Sequence, residues 1–405
     1  MNYKLTVIVL VLIIGIYQTV LNLVRYLSAN NPTPDNLSDV YDAETYSRWK
    51  QYSAENSRLE IISGAVSCIF PIILLATNVY SFFASLFSDA FLQLFAVILV
   101  EVTVSSLVSS VFSYISTMKI EEKYGFNRST VKTFVTDKIR GFIIELIISL
   151  ALTTMLWGLY YAMGDWIILL FAILIFLVTI VISFLYPIFS RIGNSFEPLA
   201  DGELKDRLLE LLTKHGYTVK AIEVMDASRR TTKLNAYFTG FGKMKTIVLY
   251  DNLVNSMTPD EICAVFAHEL GHGLHKDVLK RQLMNFGNLL IMSLIVWGAV
   301  KLPELHTAFG FDGVNFGFAY ILLSIGLGVI QPLTSLVMNA HSRRAEFRAD
   351  RQSVEEGYKD AMITALKKLA RENFAHLSPS KINVLLEYSH PPLADRIAAI
   401  ENTEK

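Results

Sequence analysis

The chain has 405 residues, 52% of them hydrophobic and only 18% charged, too apolar and too charge-poor for an ordinary soluble globular protein. A net charge of -1 gives no basic footprint, so no nucleic acid is expected as a partner and membrane lipids become the expected surroundings. Two cysteines, Cys68 and Cys263, are too few for a disulfide framework or a cysteine-rich metal site and read as core residues.

A bilayer-spanning helix needs about 20 mostly apolar residues. On that criterion seven spans are predicted, over 5–24, 61–84, 90–113, 142–163, 165–189, 283–301 and 316–338. No small-residue cleavage site follows the first before Arg25, which favours a retained helix over a signal peptide. The chain then divides into an N-terminal membrane domain of five spans, 1–191, and a second domain, 192–405, interrupted by a transmembrane hairpin, 283–338.

Lysine and arginine placement sets the orientation. Arg25, Arg48, Lys50 and Arg58 lie in the segment 25–58, and Lys119, Lys123, Arg128, Lys132, Lys138 and Arg140 in 114–141, whereas 85–89, 164 and 302–315 contain neither residue type. The first two segments are therefore expected in the cytosol, together with the polar regions 192–282 and 340–405. Glu101 and Glu145 fall inside predicted spans, where a carboxylate faces an interior, a partner or water. A hydrogen bond between helices explains them as well as a substrate contact does, and they receive no catalytic role.

Residues 246–250, Thr-Ile-Val-Leu-Tyr, read as a strand. Thr258-Pro259-Asp260-Glu261 then reads as a helix start, with Thr258 as N-cap, Pro259 at the first helical position and Glu261 completing a capping box. That helix carries His268-Glu269-Leu270-Gly271-His272. Histidines four apart stand one turn above the other and can share one ion at about 2.0–2.1 Å. Glu269 lies off that line, where it can act as general base on a water at the metal. The five-residue pattern is weak alone, but the cap and Gly271, a poor choice for helix propensity, add to it.

A catalytic zinc takes three protein ligands and keeps one position open. His275 continues the histidine stripe, but it is seven residues from His268, about 10 Å along the axis, so one ion cannot reach both. The segment 344–350 offers Glu346 as a third ligand and, one turn later, Asp350 to hold a ligand imidazole. Taken alone these carboxylates read as a solvated helix face rather than as ligands. Two spans separate His272 from Glu346, so the predicted topology returns both helices to the same side.

These residues resemble the type I CAAX prenyl proteases, seven-span membrane zinc endopeptidases of the gluzincin kind. The resemblance rests on Phe196-Glu197-Pro198-Leu199, Asn235-Ala236-Tyr237-Phe238-Thr239-Gly240-Phe241-Gly242, His268 to His272, Glu346-Phe347-Arg348-Ala349-Asp350 and Ser389-His390-Pro391-Pro392 with Arg396, with Glu121-Glu122-Lys123-Tyr124-Gly125-Phe126-Asn127 resembling the N-terminal half. It implies a mostly α polytopic membrane protein whose helices enclose a chamber, joined to a cytosolic-side α+β metalloprotease domain with a short β-sheet. It also implies one Zn2+ on His268, His272 and Glu346, with Glu269 as general base and Asp350 orienting a ligand. Asn235, Ala236 and Tyr237 would form an edge strand to which an extended substrate adds, and His390 and Arg396 would act near the scissile bond on the oxyanion or a substrate carboxylate.

The implied reaction removes the last three residues of a prenylated Cys-a-a-X protein or peptide, in the endoplasmic reticulum membrane of a eukaryote or the inner membrane of a prokaryote. The alternatives are a quality-control metalloprotease without prenyl specificity and a transporter or scaffold with a relic metal site. The segment 28–57 and the turn 273–275 match nothing in the family pattern.

Overall fold

The computed structural model describes residues 2–189, 191, 194–217, 221–239 and 246–404. The first membrane helix is α1 (Tyr3–Ser28), whose Asn2 N-cap accepts from the Leu5 N–H. It packs along α2 (Ala43–Ala76), where Gly15 leaves the room that Cys68 fills: a Cβ there would lie 2.2 Å from the Cys68 sulfur.

The span predicted over 61–84 is corrected at both ends. Helix α2 starts at Ala43, inside the segment expected to be a loop, capped by Asp42, and it stops at Ala76. Asn78 then takes a left-handed φ of 57°, which asparagine tolerates better than most residues. Lys4 Nζ donates to Ala76 O and Asn78 Oδ1, both at 2.8 Å, closing the broken turn against α1. A separate short helix follows, α3 (Val79–Ser85).

Helix α4 (Ala90–Ile115) continues through a π-helical turn, Ser116–Glu121, into α5 (Glu122–Tyr124), which ends at Gly125 with a φ of 82°. Tyr80 on α3 donates to Glu101 on α4, so that carboxylate serves as a helix-to-helix hydrogen bond. Helices α6 (Val131–Met163) and α7 (Ile167–Phe189) complete the N-terminal set.

The second half opens with β1 (Phe196–Pro198), α8 (Glu203–Lys214), β2 (Ala221–Met225), β3 (Ala236–Thr239) and β4 (Thr246–Tyr250). The sheet order is β1-β2-β4-β3. Strands β2 and β4 run parallel with Ile222 opposite Ile247, while β3 pairs antiparallel with β4, Tyr237 opposite Val248. Gly240, Phe241 and Gly242 lie outside the described residues.

Helices α9 (Asp251–Ser256), α10 (Pro259–Leu274), α11 (Asp277–Lys301) and α12 (Pro303–Thr307) follow, then the long α13 (Phe316–Glu355), α14 (Lys359–Glu372), α15 (Lys381–Leu386) and α16 (Leu393–Glu401). Helix α13 runs from the membrane into the peptidase half, carrying the span predicted over 316–338 straight on to Glu346 and Asp350.

Among the described residues six helices are long and apolar enough to cross a membrane; the predicted fifth span falls on α7. Among the described residues three large apolar cores hold the molecule together. One lies among the membrane helices and a second between the sheet, α8 and α10. The third joins Ala29, Leu37, Val40, Tyr41 and Trp49 to Ala264, Val354 and Met362. The segment before and into α2 therefore wraps the outer face of α10, α13 and α14, which accounts for a stretch whose sequence matched no pattern.

Candidate metal centre

Helix α10 forms where its start signals place it. Thr258 Oγ1 accepts from the Glu261 N–H at 3.3 Å and the Glu261 carboxylate accepts from the Thr258 N–H at 2.8 Å, the reciprocal capping box. Lys368 on α14 donates to the same carboxylate at 2.7 Å. Burial pushes the Glu261 pKa up, but the Lys368 ammonium and the Thr258 N–H outweigh it, so the carboxyl sits below its usual range. Ile262, Cys263 and Phe266 point into the sheet core, which orients the remaining face of the helix towards α13.

Gly271 decides how close that approach is. A Cβ on it would lie 3.0 Å from both Ala349 Cα and Gln352 Cβ, tighter than side chains ordinarily pack. Gly271 with Ala349 lets the backbones of α10 and α13 meet, and the short carboxylate arm of Glu346 then reaches both histidines. His268 Nε2 stands 3.5 Å from Glu346 Oε2, and His272 Nε2 stands 3.4 Å from Glu346 Oε1. One ligand atom from each of the three lies within 4.8 Å of the others.

Two ligands about 2.0–2.1 Å from a tetrahedral ion stand about 3.4 Å apart, so these separations suit a shared ion. Glu346 Oε2 is also buried without a hydrogen-bond partner, and a buried carboxylate oxygen left that way carries a desolvation cost that a cation would offset. His275, the excluded candidate, turns away: its Nδ1 meets Gly271 O at 2.8 Å at the end of α10.

Each histidine is held by a carboxylate on its other nitrogen. His268 Nδ1 pairs with Asp350 at 2.9 Å. His272 Nδ1 pairs with Asp277 Oδ2 at 3.1 Å, and Arg348 holds the second Asp277 oxygen at 2.8 Å. Such carboxylates fix the tautomer and raise ligand basicity. Asp277 was missed from sequence; the available signal was an acidic residue at the start of the helix immediately following the histidine motif.

Arg396 is bonded to the carboxylates around the ligand cluster. Its Nε and Nη2 donate to Asp350 at 2.9 and 2.6 Å, and Nη1 stands 3.5 Å from Glu346 Oε2. Burial opposes its charge, but the Asp350 and Glu346 carboxylates outweigh that and raise its pKa. The guanidinium is thus committed to the carboxylates behind the histidines. His390 does face the cleft, with 63% of its side chain exposed and Nε2 3.3 Å from Glu346 Oε1. Desolvation in the cleft lowers its pKa, with Arg396 pushing the same way and Glu346 opposing.

The cleft is a cavity of about 660 Å³ whose wall includes His268, Glu269, His272, Glu346 and His390, with Ile182 and Ser183 from α7 and Met284 from α11. Glu269 is thus in the same cavity as the ligand cluster. Asn235, Ala236 and Tyr237 are not in that wall; they lie at and just before β3, the edge strand of the sheet.

Residues 198–404 match the family model described as Peptidase family M48. The chain belongs to peptidase family M48. A second model, described as CAAX prenyl protease N-terminal, five membrane helices, matches residues 22–191. The chain is 28% identical over 418 residues to the CAAX prenyl protease 1 homolog of Arabidopsis thaliana, covering 99% of this chain and 98% of that one. It is 31% identical over 314 residues to CAAX prenyl protease 1 of Saccharomyces cerevisiae, covering 71% and 68%. Its fold superposes on the crystal structure of S. mikatae Ste24p with a TM-score of 0.92 at 26% identity, covering 98% and 99% of the two chains. As an M48 peptidase, this chain is a multi-pass membrane metalloprotease that acts on peptides or proteins.

Proposed function

We propose that this M48 peptidase is a zinc endopeptidase that removes the last three residues of prenylated Cys-a-a-X proteins at the cytosolic face of a membrane. The observation that carries the reading is the convergence of His268, His272 and Glu346 on one point in a cleft that also exposes Glu269. Two imidazoles and one carboxylate suit zinc with a fourth position left open. Zinc would supply Lewis acidity and an acidified water.

Glu269 takes a proton from the attacking water and returns it to the leaving amine. His390 steadies the negative charge that develops on the carbonyl oxygen. Arg396, through Asp350, keeps His268 in the tautomer that leaves Nε2 free for the metal. Strand β3, with Asn235, Ala236 and Tyr237, is the edge to which an extended substrate adds by main-chain hydrogen bonds. The lipid of the substrate rests among the membrane helices, and lysine and arginine placement supports a cytosolic site, in the endoplasmic reticulum of a eukaryote or the inner membrane of a prokaryote. Residues 1–191 serve as the membrane unit and 192–405 as the peptidase unit.

Mass spectrometry of a farnesylated Cys-a-a-X peptide and its unprenylated twin, incubated with pure protein with and without chelator, tests the reading. Release of the C-terminal tripeptide from the farnesylated peptide, abolished by chelator and by Glu269→Gln, is expected. Equal cleavage of both peptides refutes prenyl recognition, and full activity in Glu269→Gln refutes the assigned base. Metal analysis of the purified protein tests zinc: another metal in its place rejects that assignment.

A further inference from the structure

His390 sits on the short connection between α15 and α16, an exposed position where a side chain is ordinarily mobile. Its Nε2 nonetheless stands 3.3 Å from Glu346 Oε1, and what holds the connection there lies on α13. Asn339 Nδ2 donates to Leu386 O at 2.9 Å, and Arg343 Nη1 donates to Val384 O at 2.8 Å and to Tyr388 O at 2.7 Å. Val384 and Leu386 are in the last turn of α15, whose carbonyls have no partner within the helix. Arg343 satisfies the Val384 carbonyl and Asn339 that of Leu386, and the arginine adds a cation at the negative end of the helix.

At the far end of the connection, Arg396 of α16 bonds Asp350 of α13. Asn339, Arg343, Glu346 and Asp350 follow one another at helical spacing, so a single face of α13 carries both clamps and the ligand between them. Pro391 and Pro392 restrict the backbone beside His390, and Ser389 Oγ pairs with its Nδ1 at 2.9 Å.

We infer that Arg343, assisted by Asn339, is a positioning residue for the reaction: it clamps the α15–α16 connection to the ligand helix so that His390 points at the reacting carbonyl. This rests on the proposed role of His390. Helix α13 then sets in one rigid body the distance between the metal ligand and the group that meets the substrate oxygen, which is the distance most sensitive to small displacements.

The test is a double-mutant cycle in the full-length protein, reading kcat, KM, bound metal and Tm for Arg343→Gln, Arg343→Lys, His390→Ala and the Arg343→Gln/His390→Ala pair. A displacement of about 1 Å can cost about a hundredfold in rate, so Arg343→Gln is expected to lower kcat by ten- to a hundredfold, with KM within about twofold and bound metal unchanged. Arg343→Lys, which keeps a donor, is expected to recover part of the loss. In the His390→Ala background Arg343→Gln is expected to cost less than about twofold, because the group it positions is gone. A full additional loss in that background, or an unchanged kcat in Arg343→Gln, overturns the inference. An unchanged kcat in His390→Ala instead overturns the role of His390 on which the inference stands. Should Arg343→Gln not fold, Asn339→Ala is carried through the same cycle, with a smaller loss expected and the same overturning outcome.

Discussion

The helices that carry the metal ligands are held on opposite sides by different means. On the inner side α10 and α13 meet through Gly271 and Ala349, with charged side chains filling what space is left. On the outer side the same two helices, through Ala264 and Val354, pack under a wrap of large aromatic groups drawn from the end of the α1–α2 connection and the start of α2. Trp49 stacks on Tyr46 with centroids 5.4 Å apart and meets His376 edge-on at 5.1 Å. The inner seam is defined by short polar distances and tolerates little added volume. The wrap is defined by buried apolar area, and it gives the membrane half a share in the peptidase core.

The largest expected separation between the two comes from Trp49→Ala. Removing a large aromatic side chain that is only 3% exposed should cost about 3–5 kcal/mol, read as a lower Tm in detergent, with metal bound to the fraction that remains folded. Loss of metal from the folded fraction would mean that the wrap also shapes the seam. The converse is Asp277→Asn, which keeps the volume but weakens the hold on His272. It should lower metal affinity by about 10–100-fold and leave the Tm of the metal-free protein nearly unchanged; an unchanged metal affinity would remove Asp277 from the centre.

A smaller effect separates the two by pH. His376 in the wrap accepts from the Ser378 N–H at 3.2 Å and meets Ser28 Oγ at 3.0 Å; burial, with the Arg25 charge adding to it, pushes its pKa down from 6.5 to about 4. The unfolded chain therefore binds a proton between pH 6.5 and 4 that the folded chain excludes. The stability this histidine contributes is present above pH 6.5 and is lost as the pH falls towards 4. His376→Gln should flatten the pH dependence of Tm of the metal-free protein in that window, and an unchanged slope would place the titration elsewhere.

The seam and the wrap also differ in how far they could be read in advance. The capping box, the His268–His272 pair and the misfit of His275 all lie within one helix, where spacing along the chain is spacing in space. Glu346 and Asp350 were reachable because two spans bring the chain back to the same side of the membrane. Asp277 was not: it acts across the turn at Lys276, whose left-handed φ of 55° aims α11 back at His272, and no periodicity reports such a turn. The bonds of Arg396 to Asp350 were out of reach for a similar reason, since only the packing of α16 on α13 turns its guanidinium there. The break at Asn78 escaped because apolar residues continue on both sides of it, and hydropathy does not register a reversal in φ.

The amino-acid sequence alone determined that the chain crosses a membrane many times, that a capped helix presents two histidines on one face, and that a carboxylate helix returns to meet it. Those properties depend on composition and on contacts between near neighbours. The tertiary structure decided which oxygens face which nitrogens, that the segment 29–49 belongs to the peptidase core, and that one face of α13 holds Asn339, Arg343, Glu346 and Asp350 against partners 41 to 82 residues away. Contacts at such separation follow from how whole helices pack, which no local pattern encodes.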